Sequence, residues 1–208
     1  MLSPQPHALD LQPLTIRRAQ AFGLRLPMKK PVLMAGVRLE HSENFLIRLE
    51  ANDGTVGWGE ASSAPQHGGS TVQEMMQAWQ ALQARVTGAD AMALGGLTQQ
   101  LYDGVKIGKS ALGALDMALH DLVGRHLNVP AHVLLGGLRR KAVSPLWLLG
   151  TGQRDTDLAE AQARYAEGYR FFKLKVGVRA LEEEIEMALA LRSALGDELR
   201  LCADANMG

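Results

Sequence analysis

The stretch Phe171-Phe172-Lys173-Leu174-Lys175-Val176-Gly177 decides the fold. Side chains alternate along a strand, so Lys173 and Lys175 share one face while Phe172, Leu174 and Val176 share the other. Residues 143–149 and 199–203 read as two further strands, and helical patterns over 155–167 and 180–195 separate the three. Strand and helix alternating at this pitch predict βαβ units and a parallel sheet. The middle strand of such a unit is covered by helices on its apolar face, which sends both lysines toward the interior or its mouth. An isolated K-x-K reads more simply as a solvated edge strand; a central place in βαβαβ argues against that.

Two lysines at this spacing have Cα atoms about 6 to 7 Å apart. At an effective dielectric of about 20 the ammonium groups repel by roughly 2.5 kcal/mol, or nearly 2 pKa units. That repulsion would let one of them lose its proton near neutral pH and act as a base. On the next strand, in Leu201-Cys202-Ala203-Asp204-Ala205-Asn206, the side chains of Cys202, Asp204 and Asn206 alternate to one face. A carboxylate and an amide therefore stand at a strand end, where α/β folds meet their ligands. The oxygen of Asp204 suits Mg²⁺, which takes one or two carboxylates and keeps positions open for substrate oxygens. The plainer reading of an Asp at a strand end is a helix N-cap.

Working back toward the N-terminus, the pattern changes. Residues 15–26, 45–51 and 56–60 read as strands, the last two joined by Asn52-Asp53-Gly54-Thr55, a hairpin signal. Residues 27–44 are polar and flanked by proline, and are expected to form a long loop, functional or disordered. Helical patterns follow over 71–86, 94–102 and 110–127, the last with Leu112, Leu115, Leu119, Leu122 and Val123 on one stripe and Ser110 as its expected N-cap. A linker over 134–141 sets the boundary, giving a mobile tail over 1–13, an α+β domain over 14–138 and the start of a second domain over 139–208. Three parallel strands leave an open edge, so the second domain reads as incomplete.

Composition narrows the function. The 22 basic and 22 acidic residues cancel, leaving no electrostatic footprint for nucleic acid or an acidic membrane. Cys202 is the single cysteine, so no intrachain disulfide forms and a cytoplasmic setting is expected. No run approaches the ~20 apolar residues of a membrane span, and residues 1–14 lack a signal-peptide core. The segment Gly104-Val105-Lys106-Ile107-Gly108-Lys109-Ser110 imitates a phosphate loop but has three residues between its glycines where the motif needs four. The six histidines form no i, i+4 pair, and His120 and His126 read as surface or satisfied side chains rather than zinc ligands.

Taken in order, Ser110-Ala111-Leu112-Gly113-Ala114-Leu115-Asp116-Met117-Ala118-Leu119-His120-Asp121-Leu122, then Leu134-Leu135-Gly136-Gly137, then 168–177, then Asp204-Ala205-Asn206, resemble the mandelate racemase and muconate lactonizing branch of the enolase superfamily. The resemblance implies an α+β capping domain followed by the first strands of a (β/α)8 barrel. It implies that Lys175 is the base, Lys173 its electrostatic partner, Asp204 the first of three carboxylates on Mg²⁺, and Asn206 a substrate-binding residue. The activity implied is Mg²⁺-dependent removal of the α-proton of a small carboxylate through an enediolate, as in cycloisomerases, racemases and epimerases. The family also implies a homo-oligomer, with residues 27–44 and 61–71 as specificity loops. Ser70 departs from the pattern, since many members carry an acidic residue there. Three barrel strands instead of eight imply a truncated chain, inactive alone. The alternatives are an acid-sugar or hydroxy-acid dehydratase of the same superfamily, a noncatalytic remnant serving as an assembly module, and an unrelated α/β protein whose lysines bind an anion.

Overall fold

The computed structural model describes residues 12–34, 37–103, 108–177 and 179–205. The expected mobile tail, apart from Gln12 and Pro13, and residues 104–107 of the rejected phosphate loop lie outside them. The chain divides into two compact units, Met1–Leu138 and Arg139–Gly208.

The first unit opens with three strands, β1 (Ile16–Met34), β2 (Val37–Ala51) and β3 (Val56–Ser62), in an antiparallel sheet of order β1-β2-β3. Asp53 closes the β2–β3 turn by accepting from the backbone N–H of Thr55 at 2.8 Å, the turn chemistry the Asp-Gly pair supplies. The expected loop over 27–44 is instead a continuation of the hairpin, with Pro27 opposite His41, then Val32 opposite Leu39 after a shift of register. Proline is tolerated there because β1 is an edge strand, so its missing donor would have faced away from the ladder. The bulge between Pro27 and Val32 absorbs the mismatch.

Helices α1 (Val72–Val86), α2 (Leu94–Asp103), α3 (Lys109–Leu127) and the single turn α4 (Ala131–Leu134) follow. Thr71 and Glu74 form a reciprocal capping box at the start of α1. Ser110 does not cap α3: the helix starts at Lys109, and its cap is Gly108, two residues before Ser110, at φ 96°, a backbone angle that glycine reaches without steric cost. The predicted stripe of α3 is buried in full, from Leu112 through Val123, against Phe45, Ile47 and Leu49 of β2.

Close approach of α3 to β3 depends on two glycines. A methyl group added at Gly59 would fall on the carbonyl oxygen of Ala114, and one at Gly57 would stand 2.5 Å from the backbone nitrogen of Leu122. Ala111, Ala114 and Ala118 complete the contact from the helix side with no exposed surface. Small residues on both partners let backbone approach backbone. Asp121 then accepts from the backbone N–H of Trp58 at 2.9 Å, taking a donor from the outer edge of β3.

The second unit is β4 (Leu146–Leu149), α5 (Arg154–Ala166), β5 (Phe171–Lys175), α6 (Leu181–Leu195) and β6 (Arg200–Asp204). Its sheet is parallel with β5 in the middle. Phe172 and Leu174 are buried beneath the helices, among Leu149, Ala161, Met187, Leu191 and Leu199.

Candidate functional site

Register places the chemistry-bearing residues of three strands on one face. Lys173 lies opposite Leu148 of β4 and Cys202 of β6, and Lys175 lies opposite Asp204. Paired residues of adjacent strands share a face, so Leu146, Leu148, Phe171, Lys173, Lys175, Arg200, Cys202 and Asp204 stand together on the side away from α5 and α6. This face ends at the C-terminal edge of a parallel sheet, where strand ends of α/β folds present reactive groups.

Lys173 and Asp204 meet across the diagonal, with Nζ 2.6 Å from Oδ2 and side chains 33% and 26% exposed. Sequence reasoning on the two lysines alone missed this ion pair. Asp204 is close enough to offset one of the two ammonium charges, so Lys173, Lys175 and Asp204 together carry one net positive charge rather than two. Among the described residues Lys175 makes no ion pair, and it is half-buried. The Arg200 guanidinium lies 5.4 Å from the centroid of the Phe171 ring, a third cation on the same face but at the N-terminal end of the strands, away from Lys175 and Asp204. Asn206, the expected substrate-binding residue, lies outside the described residues.

Two carboxylates that the sequence reading passed over sit just beyond the strand ends. Asp157 of α5 accepts from the backbone N–H and hydroxyl of Thr151 at 3.0 and 2.7 Å and from the N–H of Gly152 at 3.3 Å. Glu184 of α6 accepts from the N–H groups of Gly177 and Arg179 at 3.1 and 3.0 Å. The available signal was an acidic residue at the fourth position of each helix.

The histidines on α3 have partners elsewhere. His120 Nδ1 is 2.9 Å from the carbonyl oxygen of Asp116, and His126 Nδ1 is 2.7 Å from Asp53 Oδ2. The Thr55 backbone N–H, with His126 beside it, holds the Asp53 carboxyl below its usual range. No helix among the described residues is long and apolar enough to cross a membrane.

Comparison with known proteins agrees with this architecture. Residues 18–136 match the family described as mandelate racemase / muconate lactonizing enzyme, N-terminal domain, and residues 157–208 match the enolase C-terminal domain-like family. D-galactarolactone cycloisomerase of Agrobacterium fabrum is 30% identical over 86% of this chain and 48% of its own length. L-Ala-D/L-amino acid epimerase of Populus trichocarpa is 32% identical over 93% of this chain and 46% of its own. Muconate lactonizing enzyme from Pseudomonas fluorescens, solved with muconolactone, superposes with a TM-score of 0.85 at 27% identity, covering 94% of this chain and 54% of that one. The chain spans about half the length of the curated relatives it matches. With one family matched across the antiparallel unit and its enolase-like companion across most of the βαβαβ unit, the chain belongs to the mandelate racemase and muconate lactonizing branch of the enolase superfamily.

Proposed function

We propose that these residues form the first part of a site that removes the α-proton of a small carboxylate, in an isomerase of the cycloisomerase or racemase and epimerase type. The observation that carries the reading is the half-buried Lys175, without an ion pair among the described residues, beside the Lys173–Asp204 pair at the C-terminal end of a central parallel strand. In this reading Lys175 takes the proton, and Asn206 contacts substrate. The α-proton of a carboxylate is a poor acid because its loss places a second negative charge on the same group. Lys173, two residues before Lys175 on the same strand face, holds positive charge where that charge develops. The barrel reading belongs to the same proposal: β4, β5 and β6 are its first three strands, the preceding unit its cap.

The family uses a divalent metal. Among the described residues no group of three or more His, Cys, Asp or Glu side chains is placed to hold one, so these residues by themselves do not fit a Mg²⁺ site. Asp204 gives a single carboxylate, already bonded to Lys173. We therefore assign it as one ligand of an ion whose other ligands these residues do not supply, and derive no step through the metal. A lone carboxylate does not hold a substrate in register. The 208-residue chain alone is expected to be inactive, and a protein with the full length of its relatives active.

Deuterium exchange at the α-carbon of small carboxylates tests the reading. In the full-length protein, exchange should depend on Mg²⁺ and disappear in Lys175→Ala. Exchange that survives Lys175→Ala would remove the proposed base, and absence of exchange with cycloisomerase- and epimerase-type substrates alike would count against the reaction class.

A further inference from the structure

Asp157 and Glu184 repeat one device in two successive strand–helix connections. Each is the fourth residue of its helix, α5 starting at Arg154 and α6 at Leu181. Each carboxylate reaches back to bind two backbone N–H groups of the segment leaving the preceding strand: Thr151 and Gly152 after β4, Gly177 and Arg179 after β5. Asp157 is 7% exposed, the one buried ionisable side chain among the described residues, and its hydrogen bonds account for that burial. The two segments also touch: Gly152 has φ +78°, and a methyl group there would stand 3.0 Å from Nη2 of Arg179.

We infer that Asp157 and Glu184 are positioning residues that hold these two connections as a pair and thereby fix the end of β5, and with it Lys175. The inference rests on the reading of Lys175 as the base. Gly177 is two residues beyond Lys175, so the Glu184 bond anchors the backbone where the reacting strand leaves the sheet. Charge-assisted bonds from backbone N–H to carboxylate are stronger than neutral ones, which suits the exposed positions Gly177 and Arg179. Because Arg179 packs at Gly152, loosening either carboxylate should disturb both connections.

The test uses the 208-residue chain, for which no activity is needed. Amide hydrogen exchange is followed in the intact chain and in Glu184→Ala, Glu184→Gln and Asp157→Asn, and the Lys175 side-chain NMR signal is assigned through Lys175→Arg. Glu184→Ala should speed exchange at 176–180 by about tenfold or more and shift the Lys175 signal, leaving exchange in 14–138 unchanged. Glu184→Gln keeps one acceptor oxygen and should fall between, and Asp157→Asn should speed exchange at both connections. If Glu184→Ala does not fold, Glu184→Gln and Asp157→Asn carry the same test. Unchanged local exchange, a Lys175 signal that does not move, or acceleration spread evenly over the second unit would each overturn the inference. None of these outcomes bears on whether Lys175 is the base, which the deuterium-exchange experiment decides separately.

Discussion

The described residues form two three-stranded sheets, and these treat their edges in opposite ways. In the first unit Asp121 takes the Trp58 N–H on the outer side of β3, and Gln83 donates to the carbonyl of Ala19 on β1 at 2.8 Å. Farther along β1, Pro27, Lys29 and Pro31 make the edge a poor template for another strand. In the second unit no strand among the described residues pairs with the outer side of β4 or β6. Its helix α6 carries Leu181, Ile185 and Leu189 at four-residue spacing, 65%, 49% and 63% exposed. Those three lie on one stripe of the helix, the pattern of a face that packs against a neighbour. The first unit thus covers parts of its sheet edges from within, although Phe22, Leu24 and Trp58 stay 42%, 39% and 43% exposed, while in the second unit the strand edges and the α6 stripe have no cover among the described residues.

The sharpest way to break that contrast is a paired core lesion. Phe172→Ala removes the largest buried side chain of the small second core and should cost about 3 to 5 kcal/mol. Gly59→Ala forces α3 off β3 and should cost about 3 kcal/mol, within the range of overpacked interiors. Trp147 reports on the second unit, Trp58 and Trp79 on the first, so urea unfolding of single-tryptophan variants shows which unit each lesion melts. Loss of both signals together in either variant would mean that the units fold as one and that the contrast is false.

A smaller effect sharpens the same contrast at the surface. Replacing Leu181 and Leu189 with glutamine should change stability by no more than about 0.5 kcal/mol and lower whatever self-association sedimentation detects in the parent chain. Unchanged association would place the contact elsewhere. The smallest expected effect belongs to the first unit. Because the folded Asp53 carboxyl lies below its usual 3.8, its contribution is present above the unfolded value and is lost as pH falls through the folded one. Asp53→Asn should therefore flatten the acid limb of the stability curve, as read from unfolding midpoints across pH.

Much of the fold was legible because period and turn chemistry agreed. The alternation in residues 171–176 gave the parallel central strand and its two faces, and Asp53-Gly54 gave the β2–β3 hairpin. The long β1–β2 hairpin was hidden by its prolines, which signal a loop unless the strand is known to lie at an edge. Ser110 misled because capping statistics favour hydroxyls, whereas the entry to α3 requires a left-handed backbone that Gly108 provides. At the candidate site, the shared face of Lys173, Lys175 and Asp204 followed from strand alternation, but the Lys173–Asp204 bond did not. It depends on the relative register of β5 and β6, which neither strand encodes alone. Asp157 and Glu184 were invisible for a related reason: acidic residues in a first helical turn are common, and only the loop backbone shows what they bind.

The glycine-lined contact between β3 and α3 also has a place in time. Trp58 and Asp121 are 63 residues apart in sequence, while the hairpins of the sheet close over short turns. The sheet can thus form early, but the helix that covers it must close a long loop, a step that slows folding. On the ribosome the gap is longer still, since 63 residues take about 3 to 13 s to synthesise at 5 to 20 residues per second. Until α3 is complete Phe45, Ile47 and Leu49 would have α1 alone as helical cover, which makes the nascent chain, more than the finished protein, the form most in need of a chaperone.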